Sequence, residues 1–156
     1  MANQILRGLT MLTLIVGLGL VTAVSSANGQ SARVSIAKVP FEFNVGDKPL
    51  PAGQYIVRAT TESGQALLIA GKNGGVMRLT HTISSSKTPD RGKLVFHRYG
   101  ERYFLSEVWN AGEKTGRQLF KSKQERNIEQ QLARTSSSSE LAQNSYEIVE
   151  VLTGLP

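Results

Sequence analysis

The side chains best suited to chemistry in this sequence are two histidines, His81 and His97, a carboxylate at Glu107 and a group of aromatics between Tyr99 and Trp109. The histidines fall in different predicted strands and form neither an H-x-x-x-H nor an H-x-H pair. The chain has no cysteine, so a metal ion held there would need carboxylates such as Asp90 or Glu107 to complete its ligand set. A histidine hydrogen-bonded within a core or across strands accounts for each position without a metal. Glu107 alternates in phase with Leu105 and Trp109, and a carboxylate on such an apolar face would be a tuned acid or base. An ion pair with Arg98 across a hairpin diagonal, or a position where that face meets solvent, explains it equally well. The serines crowd into loops and form neither G-x-S-x-G nor S-x-x-K, and the glycines form neither G-x-G-x-x-G nor a P-loop. Tyr99, Tyr103, Phe104 and Trp109 could line a pocket for an apolar ligand or form a sugar platform, although filling a core is the ordinary use of such residues. No catalytic, cofactor-binding or metal-ligating residue is assigned on these grounds.

The element that must position most of these groups is Lys93 to Trp109, KLVFHRYGERYFLSEVW. Two runs rich in β-branched and aromatic residues flank Gly100-Glu101, and Gly in first place is type II′ hairpin chemistry. The register that follows pairs Tyr99 with Arg102, His97 with Phe104 and Phe96 with Leu105. It puts Leu94, Phe96, Tyr103, Leu105 and Trp109 on one face, and Val95, His97, Tyr99, Phe104 and Val108 on the other. Both faces are apolar, which predicts a hairpin inside a sheet and covered on both sides.

Upstream, Met1 to about Ala27 has the form of a secretory leader: Arg7, an uncharged apolar run from Leu9 to Val24, then small residues. The run is short for a spanning helix, which needs roughly 20 residues, so cleavage is expected and no membrane span after it. Loss of the leader removes Arg7 and no acid, and the net charge of +6 becomes about +5. A basic balance suits an anionic envelope polymer, although no Lys or Arg run exceeds one residue and a merely soluble basic surface is the plainer reading. Nucleic acid is not expected as a partner. Without cysteine an exported domain must be stabilised by its core alone.

Along the mature chain, Val34 to Val45 reads as a strand interrupted or started at Pro40, and Gly46 to Gly53 as a turn. Gln54 to Thr61, Ala66 to Ala70 and Val76 to Ile83 read as strands, the last with Met77, Leu79, His81 and Ile83 as its apolar face. Asn110 to Arg117 reads as loop. Ser122 and Glu125 have capping-box spacing and open a helix to about Arg134, whose apolar stripe is only Ile128 and Leu132. The organisation expected is a leader over 1–27, a β-rich core over 32–112, loop and peripheral helix over 113–135, a serine-rich linker over 136–144, and a returning strand over 145–153. The fold class is all-β with one peripheral helix: an antiparallel β-sandwich or small β-barrel of about seven to eight strands.

Three stretches in combination, VPFEFNVGDKPLPAGQYIV (Val39 to Val57), KLVFHRYGERYFLSEVW and GRQLFKSKQER (Gly116 to Arg126), resemble a family of small predicted-secreted bacterial proteins of uncharacterised function. The resemblance covers most of the mature chain. It implies export and a compact β-rich domain, and it brings no site residues with it.

The function expected is therefore a non-enzymatic, periplasmic or secreted β-domain with a binding or structural role in the cell envelope or outside the cell. No cofactor is expected. The alternatives are a barrel that carries a small apolar ligand, and a metal- or carboxylate-dependent hydrolase using Glu107 and a histidine.

Overall fold

The computed structural model describes residues 34–61, 63–135 and 146–154; the expected leader and serine-rich linker lie outside them. The strands are β1 (Val34–Val39), β2 (Phe43–Val45), β3 (Lys48–Leu50), β4 (Gly53–Ala59), β5 (Ala66–Gly71), β6 (Gly74–Ser84), β7 (Lys93–Tyr99), β8 (Arg102–Trp109), β9 (Thr115–Leu119) and β10 (Glu147–Gly154), with helix α1 (Lys123–Thr135) between β9 and β10. Eight of the strands close into an antiparallel barrel in the order β8-β7-β10-β1-β4-β5-β6-β9. Closure is made by β9, which pairs with β6 on one side and with the end of β8 on the other. The short hairpin β2–β3 is extra to the ring and attaches by a parallel pairing of Asn44 beside Phe104.

Inward-facing side chains alternate along each strand and fill the barrel. Ala37 and Val39, Tyr55 and Val57, Leu67 and Ile69, Leu94 and Phe96, Leu105 and Val108, and Leu119 form one core with Phe43, Val45 and Leu50 of the attached hairpin. The Phe43 ring meets Tyr55 at 5.1 Å and Phe96 at 5.3 Å, edge to face, and Phe41 stacks on Tyr103 at 3.9 Å. An eight-stranded barrel is just wide enough to be filled this way. Each fully buried phenylalanine contributes about 1.5–3 kcal/mol from apolar burial.

Gly100 has φ +61, as the hairpin reading requires, and the pairs Tyr99–Arg102, His97–Phe104 and Phe96–Leu105 all form. Beyond them a bulge between Val95 and Phe96 leaves Ser106 without a counterpart and shifts the pairing to Val95–Glu107 and Leu94–Val108. An extra residue reverses the phase of everything after it. Val108 therefore joins the core, while Glu107 and Trp109 leave the face of Leu105.

Three other expectations are corrected. The segment Gly46 to Gly53 contains strand β3, with Pro49 tolerated because β3 is the edge of the sheet. The region expected to be loop as far as Arg117, within 113–135, contains most of the closing strand β9. On β6 the core side is Val76 and Thr80, and the row Met77, Leu79, His81, Ile83 is the outer one. The alternation holds, but the phase that faces inward is the other one.

Candidate functional site

Two places on the outside of the barrel gather polar and apolar groups beyond what a core needs. The first lies under α1. The helix begins as its sequence indicates: the Ser122 hydroxyl accepts the backbone N–H of Glu125 at 3.0 Å. The Glu125 side chain, however, turns to the barrel and accepts a hydrogen bond from His97 Nδ1 at 3.0 Å. A carboxylate can only accept, so Nδ1 carries the proton. The Tyr99 hydroxyl lies 3.3 Å from the same Glu125 oxygen and donates to Glu129 Oε1 at 2.6 Å; Lys121 Nζ donates to that Glu129 oxygen as well. Tyr146, just before β10, stacks its ring on His97 at 3.9 Å, and Lys121 Nζ lies over the Tyr146 ring, 5.5 Å from its centroid.

Burial makes this group more than a surface network. His97 and Glu125 are each 5% exposed. Burial pushes the Tyr99 phenol well above its ordinary range, and the Glu129 hydrogen bond and the charges of both carboxylates push it the same way, so it remains a donor. For Glu129 burial acts to raise the carboxyl, but the hydrogen bonds and charge of Lys121 and the Tyr99 hydrogen bond outweigh it, and the group is held below the usual carboxylate range. Of the helix, Glu125 is buried while Leu132 is 39% exposed and Ile128 only partly covered. The helix is fastened by its acidic row, Glu125 and Glu129, and not by the apolar pair that its sequence presents.

The second place is an open cleft of about 400 Å³ lined by Leu79, Thr80, His81, Thr82, Arg117 and Phe120, with Ser63 and Gln65 at its edge. Thr80 anchors its floor by donating to the Gly64 carbonyl at 3.0 Å. His81 Nε2 pairs with Gln118 Oε1 at 2.8 Å and its ring lies 5.2 Å from that of Phe120. Arg117 is held by the Thr82 hydroxyl. Leu79 and Phe120 are 67% and 63% exposed, so the cleft offers apolar side chains already facing water.

The residues singled out in the sequence are distributed as follows. His97 and Tyr99 come together under α1, joined by Glu125, Glu129, Lys121 and Tyr146, which sequence reasoning passed over. Glu125 was visible as a capping-box member, and its spacing to Glu129 was the available signal. His81 stands on the cleft and Asp90 on an exposed loop. Glu107 shares an outer row with His81 through Gln118, which pairs with both; the two are separated by two strand spacings, roughly 10 Å. Glu107 accepts the Trp109 indole N–H at 2.7 Å. Tyr103, half-buried, stacks on Phe41 against the core, and Phe104 is buried edge to face against Tyr99 at 5.8 Å. Among the described residues no three histidine or carboxylate side chains are placed to hold a metal ion.

The fold and these surfaces define a closed, side-chain-filled, all-β barrel with one helix fastened to its wall, built without cysteine. No family model, curated protein or solved structure matches the chain.

Proposed function

We propose that this chain is an exported, non-enzymatic binding domain that engages its partner through the outer wall of the barrel, in the cell envelope or outside the cell. The observation that carries this reading is the contrast between a filled interior and an unfilled outside. Phe43, Phe96, Leu94 and Ile69 occupy the space a carried ligand would need, whereas Leu79 and Phe120 face water beside a cleft. The export half of the reading rests on the leader-like segment and on the resemblance to small secreted proteins. His97, the one buried imidazole, supports a structural role because its ring is covered by Tyr146 and its Nδ1 is occupied by Glu125.

The test has two readouts on protein expressed in a bacterial host with its own leader. Cell fractionation is expected to place the chain outside the cytoplasm. The recovered protein is expected to sediment with isolated envelopes, and Leu79→Ser with Phe120→Ser to abolish this. Native mass spectrometry that finds a retained small molecule, or envelope binding unaffected by the double substitution, would overturn the outer-wall reading.

A further inference from the structure

We infer that the wall made by β1, β4, β5 and β6, with Phe120 at its rim, docks on an anionic lipid surface; this rests on the outer-wall reading above. The register sets its outward positions side by side. Ile36, Ile56 and Ala70 form one row, and Val34, Arg58, Leu68 and Met77 the next, with Leu79 following on β6. Of these Met77 is 59% exposed and Ile56 43%, so large apolar groups stand in water on neighbouring strands.

Strand carboxylates, unlike cations, are confined to the rest of the barrel, where Lys93, Arg98, Arg102 and Arg117 also stand on β7, β8 and β9. The sequences of β1, β4, β5 and β6 contain no aspartate or glutamate, while Lys38 and Arg58 project from the same outer face and Lys72 sits exposed in the β5–β6 turn. The carboxylates of Glu107, Glu147 and Glu150 belong to β8 and β10, and those of Glu125 and Glu129 to α1. An apolar face bordered by cations and free of strand carboxylates is complementary to a negatively charged layer with an apolar interior.

The backbone narrows the partner further. β4 and β5 are paired on both sides, so an added strand has no edge to join and the partner must meet side chains alone. The chain lies on the layer and does not cross it: the interior is apolar and the outer wall carries Lys38, Arg58 and Glu150, the reverse of a spanning barrel.

Protein recovered from the exporting host, its N-terminus read by mass, is mixed with vesicles of phosphatidylcholine alone or with phosphatidylglycerol added, and sedimented. Binding is expected only to the anionic vesicles, weakening with salt, and falling about tenfold or more in both Met77→Ser/Leu79→Ser and Lys38→Glu/Arg58→Glu. Glu107→Gln, on β8 across the ring from β4, is expected to bind as the parent does, and circular dichroism melts show that each variant is folded. Sedimentation with envelopes but with neither vesicle would overturn the lipid inference and leave the outer-wall reading standing, the partner then being a polymer or protein. Anionic vesicle binding unchanged in Met77→Ser/Leu79→Ser would overturn the assignment of this face.

Discussion

His97 and Glu125, 28 positions apart in sequence, meet at 3.0 Å in a contact where each residue is 5% exposed. The pair joins β7 to α1, and the helix has few buried apolar groups to replace it. Glu125→Ala strands the imidazole N–H in a buried place and is expected to cost about 3 kcal/mol, in the range for breaking a buried charged contact. Leu132→Ala, at an exposed position of the same helix, is expected to stay within about 0.5 kcal/mol. Urea unfolding of the two variants checks this, and hydrogen exchange of the α1 amides shows whether the helix is released before the barrel opens.

The same cluster sets a pH dependence with two arms. Glu129 is held below its ordinary value of 4.5, so its contribution is present above that value and lost as the pH falls through the lowered one. Tyr99 is raised above its ordinary value of 10.0, so its contribution is fully present below that and lost as the pH rises beyond it. Melting temperature against pH is expected to fall at both ends. Glu129→Gln should flatten the acid arm, and Tyr99→Phe the alkaline one.

Gly100 and Gly116 are both sensitive, for different reasons. A Cβ at Gly100 meets nothing within 4 Å, so the cost of Gly100→Val is that of a β-branched residue at φ +61, about 1–3 kcal/mol. At Gly116 a Cβ would lie 2.6 Å from the Trp109 ring, which rests against the glycine. Gly116→Ala must therefore displace the indole, at about 1–3 kcal/mol. Trp109 is the only tryptophan, so its emission should shift to the red in Gly116→Ala and hold its wavelength in folded Gly100→Val.

In the interior, Phe96 is fully buried between Phe41 and Phe43. Phe96→Ala is expected to cost about 3–5 kcal/mol by cavity formation, measured by urea unfolding. His81→Gln, at an exposed position whose one described hydrogen bond is to Gln118, should leave stability within about 0.5 kcal/mol of the parent.

What the sequence by itself determined is local. Alternating β-branched and aromatic runs, the positive-φ glycine at position 100 and the Ser122 cap placed the central hairpin, the antiparallel strands and the start of α1, because each depends on neighbours within a few residues. The hairpin pairs nearest Gly100 were legible for that reason, and the pairs past Ser106 were not: the bulge falls between the part of β8 that meets β2 and the part that meets β9, and only the closed ring brings β9 there. Closure was hidden too, since Thr115 to Leu119 has a single large apolar residue, Leu119, and becomes a strand by bridging β6 and β8. The inward phase of β6 was decided by its register on β5, which sets Val76 beside the inward Ile69, puts Thr80 on the same side and turns Met77, Leu79 and His81 out. The union of His97 with Glu125 likewise belongs to the tertiary structure alone. A carboxylate three residues after a cap satisfies local rules at the helix terminus, and only the barrel wall beneath it supplies the buried imidazole that draws it away.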